Sequence, residues 1–194
     1  MKNPCSTRVI AASLLCIVGW SASAEEADSS KPVSAAQSFV TRATQDGLAE
    51  IQMGKLAQTR SSDEKVKAFA AQMVTDHAKA NEELSAIAKR KNMEVPTDLD
   101  REHATMVHTV SAKPPSEFDA EYGRHMIEAH DAAVTLFKDA AAVGDKDLAG
   151  FAKKTLPTLQ KHQQLAASLP SKMPVRAGSD ATDLATPDPA ESHQ

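Results

Sequence analysis

The side chains of this sequence that are best suited to chemistry are histidines in the apolar stripes of helical segments. His77 comes four residues after Met73 and seven before Leu84, so the three share one face of a helix. His130 comes four residues after Met126, and the surrounding sequences "MVTDH" and "MIEAH" resemble one another. This spacing predicts that both histidines face the core of a helical bundle.

Two further polar residues occupy inward stripes of two other helical segments. His162 lies in a mainly apolar stripe that runs from Phe151 to Leu169. Glu50 is the only charged residue on a face of small residues, which let neighbouring helices approach closely. This face contains Ala43, Gly47, Glu50, Gly54 and Ala57. Antiparallel packing of four helices would bring Glu50 and the three histidines to a similar depth.

Three histidines and one carboxylate at one depth suggest a shared metal ion. An ionised carboxylate in a core is costly unless it is paired or bound to a metal, and neutral imidazole is the commonest metal ligand. The sequence therefore predicts a mononuclear site for Zn, Fe, Mn or Cu. Its ligands would be Glu50, His77, His130 and His162. Asp76 would be a further ligand, or an acceptor that orients an imidazole.

The neighbouring residues leave alternatives open. Each histidine, taken alone, fits a hydrogen-bonded core or boundary position. Thioethers favour Cu(I), but methionine is an adaptable core filler, and we interpret Met53, Met73 and Met126 as core residues. Tyr122 is either a hydrogen-bond donor near His130 or part of the core.

The remaining histidines are expected outside this cluster. His125 lies about 140° around the helix from His130, so the two cannot both face the bundle centre. His103 and His108 fall in a short crossover segment, and His193 lies close to the end of the chain. We expect these three side chains to be solvated.

The elements that must position these residues are helices, because apolar residues recur at spacings of three and four. Long helices are predicted over 34–60, 63–92, from 116 onward, and over 146–169, with a short helix at 98–111. Pro157 is expected to kink the last helix. Two short connections and one long crossover predict an all-α fold, a ferritin-like antiparallel four-helix bundle with a crossover helix between its second and third long helices.

Both ends of the chain differ from the helical region. Residues 1–24 combine a basic start, an apolar run and the small-residue pattern "SASA", which predicts a signal peptide cleaved after Ala24. Residues 25–33 read as a flexible leader, and 170–194 are rich in Pro, Ser, Thr and Asp, as in a disordered tail. The protein is therefore predicted to be periplasmic or otherwise exported. Cys5 and Cys16 both lie in the signal segment, so the mature chain has no cysteine chemistry.

Charge and motifs exclude several functions. Removal of Lys2 and Arg8 with the signal segment takes the formal charge from −4 to −6, and no basic patch suggests nucleic acid as a partner.

No membrane span is expected after signal removal, and the sequence leaves open whether the protein binds a protein partner or forms a homodimer. The sequence has no Gly-rich phosphate loop, "GxSxG" or "HExxH" motif. An enzyme is therefore not the favoured interpretation.

Four blocks of residues 34–169 carry a family resemblance. They are "GLAEIQMGKLA", "VKAFAAQMVTDHAKANEEL", "EFDAEYGRHMIEAH" and "FAKKTLPTLQKHQQLA". The chain resembles the exported bacterial proteins of the domain of unknown function 4142 family, which implies a ferritin-like four-helix bundle. The family pattern maps onto Glu50, His77, Phe118–Asp119, Tyr122, His130 and the segment ending at His162. The Glu-x-x-His pairs of di-iron bundles are missing, so the resemblance does not imply ferroxidase activity.

Three functions are consistent with these features. The leading hypothesis is a periplasmic metal-binding helical domain, in metal handling or envelope stress protection. The alternative is a non-enzymatic envelope protein-interaction module whose core histidines are structural. An oxidoreductase with a redox metal ranks last, because no sequence feature supplies a substrate pocket.

Overall fold

The computed structural model describes residues 33–142 and 145–171 and consists of helices joined by short connections. Its helices are α1 (Ala35–Arg60), α2 (Glu64–Arg90), α3 (Arg101–Ser111), α4 (Pro115–Ala142) and α5 (Lys146–Ala166). The predicted all-α bundle of four long helices, with the short α3 between the second and third, is confirmed. The predicted signal segment lies outside the described residues, as do 25–32 of the leader and 172–194 of the tail.

Side-chain caps explain where the helices begin. Ser34, Asp63, Asp100 and Asp145 each accept a hydrogen bond from a backbone N–H in the first turn of the following helix. α2 ends two residues earlier than predicted, and Asn92 has a φ of 53° in the left-handed region, where helices commonly stop. α5 ends at Ala166 rather than 169 and continues as a helix through Pro157.

The small-residue face of α1 packs closely against α2. A Cβ atom added to Gly54 would lie 2.9 Å from Val74 Cγ2 and 3.0 Å from the Ala70 carbonyl oxygen. These distances are shorter than ordinary van der Waals contact, so glycine is needed for this helix separation. The close approach brings the inward face of α1, including Glu50, against the inward face of α2.

The core consists of two apolar clusters. The phenylalanine cluster is built around Phe39, Phe137 and Phe151, whose ring centroids lie 5.2 to 6.4 Å apart. The methionine cluster contains three fully buried methionines together with Phe69, Tyr122 and other apolar residues. These methionines are Met53, Met73 and Met126, which therefore fill the core as predicted.

The four candidate ligands occur where the long helices pass from one cluster to the other. In α1, Glu50 lies between Ala43 of the phenylalanine cluster and Met53 of the methionine cluster. In α4, His130 lies between Met126 and Ala133 of the same two clusters. His77 and His162 hold the equivalent positions in α2 and α5. Antiparallel packing thus produces one polar layer inside an apolar core.

The crossover helix α3 is attached to α1. Gln45 donates to the Asp98 carbonyl and accepts from the Asp100 N–H, both at 3.0 Å. At the other end of α3, the Arg60 guanidinium donates to the carbonyls of Ser111 and Lys113. These contacts hold α3 alongside α1.

The expectation that His103 is solvated is wrong, whereas His108 is exposed as expected and His193 lies outside the described residues. His103 is buried because α3 turns that side chain towards α1, where Asp46 meets it. Within 33–142 and 145–171, no helix is both long and apolar enough to cross a lipid bilayer.

Candidate metal centre

Three histidines from three helices meet in the polar layer. One ring nitrogen from each of His77, His130 and His162 lies within 4.8 Å of the others, and all three side chains are buried. Their ring centroids are 5.4 to 5.7 Å apart. Donor atoms about 2.1 Å from a tetrahedral ion are roughly 3.4 Å apart, so small side-chain rotations would bring these nitrogens around one ion.

The hydrogen bond of His130 leaves its second nitrogen available. His130 Nδ1 lies 2.8 Å from the backbone carbonyl oxygen of Met126, one turn earlier in α4. A carbonyl only accepts, so Nδ1 carries the proton and Nε2 has a free lone pair in the neutral ring. Nε2 is buried and has no hydrogen-bond partner among the described residues. A buried lone pair without a donor is suited to a metal ion.

His162 shows the same division between its two nitrogens. His162 Nε2 lies 2.9 Å from Asp76 Oδ2, while the buried Nδ1 has no partner within the described part of the chain. A carboxylate that accepts from one imidazole nitrogen orients the ring and makes the other nitrogen a better ligand. Asp76 therefore has the geometry of the orienting acceptor, and it acts on His162 rather than on its neighbour His77.

Glu50 and His77 form a buried ion pair. Glu50 Oε2 lies 2.6 Å from His77 Nε2, and neither atom has another hydrogen-bond partner in the described segments. The other carboxylate oxygen, Oε1, lies 3.8 Å from His130 Nδ1. Glu50 is thus adjacent to two of the histidines, on the Nε2 side of His77 and the Nδ1 side of His130, while the three ring nitrogens within 4.8 Å of one another belong to histidines alone.

The electrostatics of the layer act differently on three of the candidate ligands. Burial raises the pKa of Glu50, but the charges of His77 and His130 outweigh it and lower that pKa to about 2. Burial lowers the pKa of His162, the contact with Asp76 raises it, and burial is the larger effect, so that the pKa falls to about 4. Burial also lowers the pKa of His77, but the adjacent Glu50 carboxylate raises it above 6.5. At neutral pH Glu50 is an anion and His162 is neutral, as metal binding requires, whereas the raised pKa of His77 means that a metal competes with a proton for that imidazole.

Space for an ion is present beside these groups. A cavity of about 30 Å³ is lined by Glu50, His77 and His162 among others. About 10–15 Å³ is enough for one water-sized sphere, so the cavity is large enough for a metal ion and too small for an organic cofactor.

Two other buried polar atoms belong to side chains in the first half of α4. The hydroxyl of Tyr122 is buried without a hydrogen-bond partner among the residues described, and burial followed by the charge of Glu50 raises its pKa. Asp119 Oδ1 is likewise buried and unpartnered in this part of the structure. The side chain of Tyr122 belongs to the methionine cluster, so its ring is part of the core.

A second histidine site, which we call the crossover site, contains His103, Asp46 and Asp100. His103 Nδ1 lies 2.8 Å from Asp100 Oδ1, and Nε2 lies 2.9 Å from Asp46 Oδ1. Burial lowers the pKa of His103, but the two carboxylates raise it above 6.5. Sequence reasoning missed this site, although Asp100-x-x-His103 was a visible pair, because Asp46 lies 57 residues away.

No curated protein matches this chain. Two solved structures share its fold. A DUF305 fragment from Deinococcus radiodurans has a TM-score of 0.61 at 16% identity, covering 71% of this chain and 97% of that one. The second is CopM in the Cu(II)-bound form, with a TM-score of 0.58 at 17% identity, covering 69% of this chain and 93% of that one. The family described as Domain of unknown function (DUF4142) matches residues 21–169, and the chain belongs to this family.

Proposed function

We propose that this protein binds one divalent transition-metal ion in the core of its bundle. The ligands are Glu50, His77, His130 and His162. The observation that supports this most strongly is the meeting of three buried imidazoles, of which His130 Nε2 and His162 Nδ1 have no hydrogen-bond partner in the described residues. Glu50 Oε2 lies 2.6 Å from His77 Nε2 in the same polar layer and would exchange that contact for the metal.

The energetics favour an ion over an empty polar layer. A buried polar atom left without a partner costs about 1–3 kcal/mol, and two such nitrogens, His130 Nε2 and His162 Nδ1, occur within one layer of the core. A bound cation would satisfy both nitrogens and offset the charge of Glu50. Apolar residues at these positions would avoid this energetic cost altogether. The presence of polar side chains in the layer therefore indicates that they have a function, such as binding a metal ion.

The donor set suits several ions. Three imidazole nitrogens and one carboxylate oxygen bind Zn, Fe, Mn or Cu. CopM, whose fold is similar, has been solved in a Cu(II)-bound form, which makes Cu(II) one of the ions to test. Four protein donors fill a tetrahedral site, and sites without an open position hold an ion rather than activate a substrate. We therefore propose metal handling, with envelope stress protection as its setting, in an exported chain.

A second candidate function is a protein-interaction module with structural histidines. It is favoured by the contacts that each ring already makes, with Glu50, Met126 and Asp76 respectively. In that case the layer would be a buried polar network, and metal would not change its stability. The two candidates therefore differ in what a metal does to the folded protein.

Metal content is the direct test. The chain without its first 24 residues, purified without a histidine tag or chelator, would be measured by mass spectrometry before and after addition of Zn, Mn, Fe(II) and Cu(II). We expect near-stoichiometric metal in the wild type and none in the His77→Ala/His130→Ala variant. The His108→Ala variant, altered at an exposed histidine, should match the wild type. Absence of metal in all three, and failed metal addition, would leave the histidines structural.

A further inference from the structure

A groove on one side of the bundle leads to the candidate metal centre. It has a volume of about 900 Å³ and is lined by residues of α1, α3 and α4. Of the four candidate ligands, Glu50 alone lines both this groove and the inner cavity, which is also lined by His77 and His162. Glu50 is itself buried, with only 2% of its surface exposed, and its Oε2 lies 2.6 Å from His77 Nε2. The groove therefore ends at a ligand of the core site.

The groove is negatively charged. Seven carboxylate side chains and two arginines line it. Arg124 is held by Glu121 and Glu128 at 2.6 to 2.8 Å, and Asp46 and Asp100 share His103. Negative charge remains in excess after these pairings. A cleft with one sign of charge concentrates ions of the opposite sign and speeds their association.

His125 supplies a neutral nitrogen donor in the same groove. It is half-buried on α4, and no hydrogen bond or ion pair of the described residues involves its ring. Burial lowers its pKa below 6.5, so the ring is neutral at pH 7 and has a free lone pair. It precedes His130 by five residues, a rise of about 7.5 Å along the helix. The helical angle that keeps His125 out of the core layer directs it into the groove.

We propose that cations reach the core site through this groove and that His125 binds them transiently before Glu50 takes them inward. This inference rests on the proposed metal site. It assigns His125 a role in the rate of metal exchange and not in the final coordination. In the competing route, cations would reach the core site from the other side of the polar layer, past Asp76, which is partly exposed and contacts His162.

Stopped-flow absorption with Co(II) as the probe tests the proposal on the chain that begins at residue 25. In His125→Ala we expect the association and dissociation rates of Co(II) to fall together by roughly tenfold. Loss of a transient binding residue raises the barrier to metal exchange but leaves the free energies of the free and the bound state unchanged. At equilibrium, the absorbance should still correspond to one bound Co(II) per chain. The matched control is His108→Ala, an exposed histidine outside the groove, which should keep both wild-type rates. Added salt should slow wild-type association.

Two steric variants separate the competing routes. Ala129→Leu narrows the groove, whereas Gln72→Trp adds bulk beside Asp76, outside the lining of the inner cavity. We expect slow exchange in Ala129→Leu alone. Wild-type rates in both His125→Ala and Ala129→Leu, or slow exchange in Gln72→Trp only, would overturn the proposed route while full Co(II) absorbance remained. A wild type that takes up no Co(II) at equilibrium would instead overturn the metal site, and the route with it.

Discussion

The core site and the crossover site both combine histidine with carboxylates, but they use their nitrogens differently. At the crossover site both nitrogens of His103 contact carboxylate oxygens, at 2.8 and 2.9 Å. In the core, His130 and His162 each have one nitrogen engaged and one buried nitrogen without a partner in the described residues. His103 is buried as well, at 8% exposure, equal to that of His77. Burial alone therefore does not distinguish a candidate ligand from a structural histidine, whereas the count of partners does.

The two sites also differ in what surrounds them. The core layer lies between two apolar clusters contributed by all four long helices, and His130 Nε2 and His162 Nδ1 are buried there without a partner in the described residues. At the crossover site Asp100 and Asp46 are partly exposed and water can solvate their free oxygens. The crossover site is complete without an ion, and its physical role is to attach α3 to α1. Four variants, taken from the largest expected effect to the smallest, test this difference.

The double variant His77→Ala/His130→Ala should have the largest effect, because it should abolish the stabilisation that a bound metal gives to the folded protein. A site-saturating metal at about 1,000 times its dissociation constant stabilises the folded state by about 4 kcal/mol. We expect this gain in the wild type and its complete loss in the double variant, measured by thermal unfolding with and without metal. His103→Ala should keep the gain. An equal gain in the double variant would mean that the metal binds elsewhere.

Glu50→Gln should change how the metal-free protein responds to acid. The folded-state pKa of Glu50 is lowered from 4.5 to about 2, so ionised Glu50 stabilises the folded state above pH 4.5 by about 3 kcal/mol. That contribution declines as pH falls through 4.5 and is lost below about 2. Urea unfolding of chelator-treated protein across this range measures it.

We expect the difference in unfolding free energy between wild type and Glu50→Gln to be greatest above pH 4.5 and to shrink in stronger acid. Glu82→Gln, an exposed glutamate of α2, is the matched control and should show no such dependence. A constant difference at all pH values would contradict the buried ion pair between Glu50 and the histidines.

Asp76→Asn should weaken metal binding without preventing it. Asp76 accepts from His162, and loss of such an orienting carboxylate typically lowers metal affinity about tenfold. Titration with a chelator competitor measures this change. Asp100→Asn makes the same substitution at the crossover site and should leave affinity unchanged. Equal losses in the two variants would show that the effect is one of overall charge.

His103→Ala should have the smallest effect and none on metal content. The variant loses two hydrogen bonds to carboxylates that are partly screened by solvent, worth about 1 kcal/mol in total. Because the pKa of His103 is raised in the folded state, the stabilisation is full below pH 6.5 and is lost as pH rises through the folded pKa. Melting temperatures of wild type and variant should therefore differ below pH 6.5 and converge in alkaline buffer. A difference that grows with pH would contradict this.

Local patterns in the sequence determined most of the secondary structure and the inward residues. Periodicity of 3.6 residues and capping side chains such as Asp63 depend only on neighbours along the chain, so helix bounds were predicted to within a few residues. The same periodicity identified Glu50, His77, His130 and His162 as inward-facing, because each shares a stripe with apolar or small residues. Whether these residues bind metal stays a prediction.

The tertiary structure alone decided which atoms meet. The contact of Asp76 with His162 spans 86 residues, and that of Asp46 with His103 spans 57. Such pairs depend on the rotation and relative height of packed helices, which a helical stripe does not specify. For the same reason the burial of His103 and the place of His125 in the groove were not foreseen. The sequence by itself determined which faces turn inward, and packing decided which nitrogens are left without a partner.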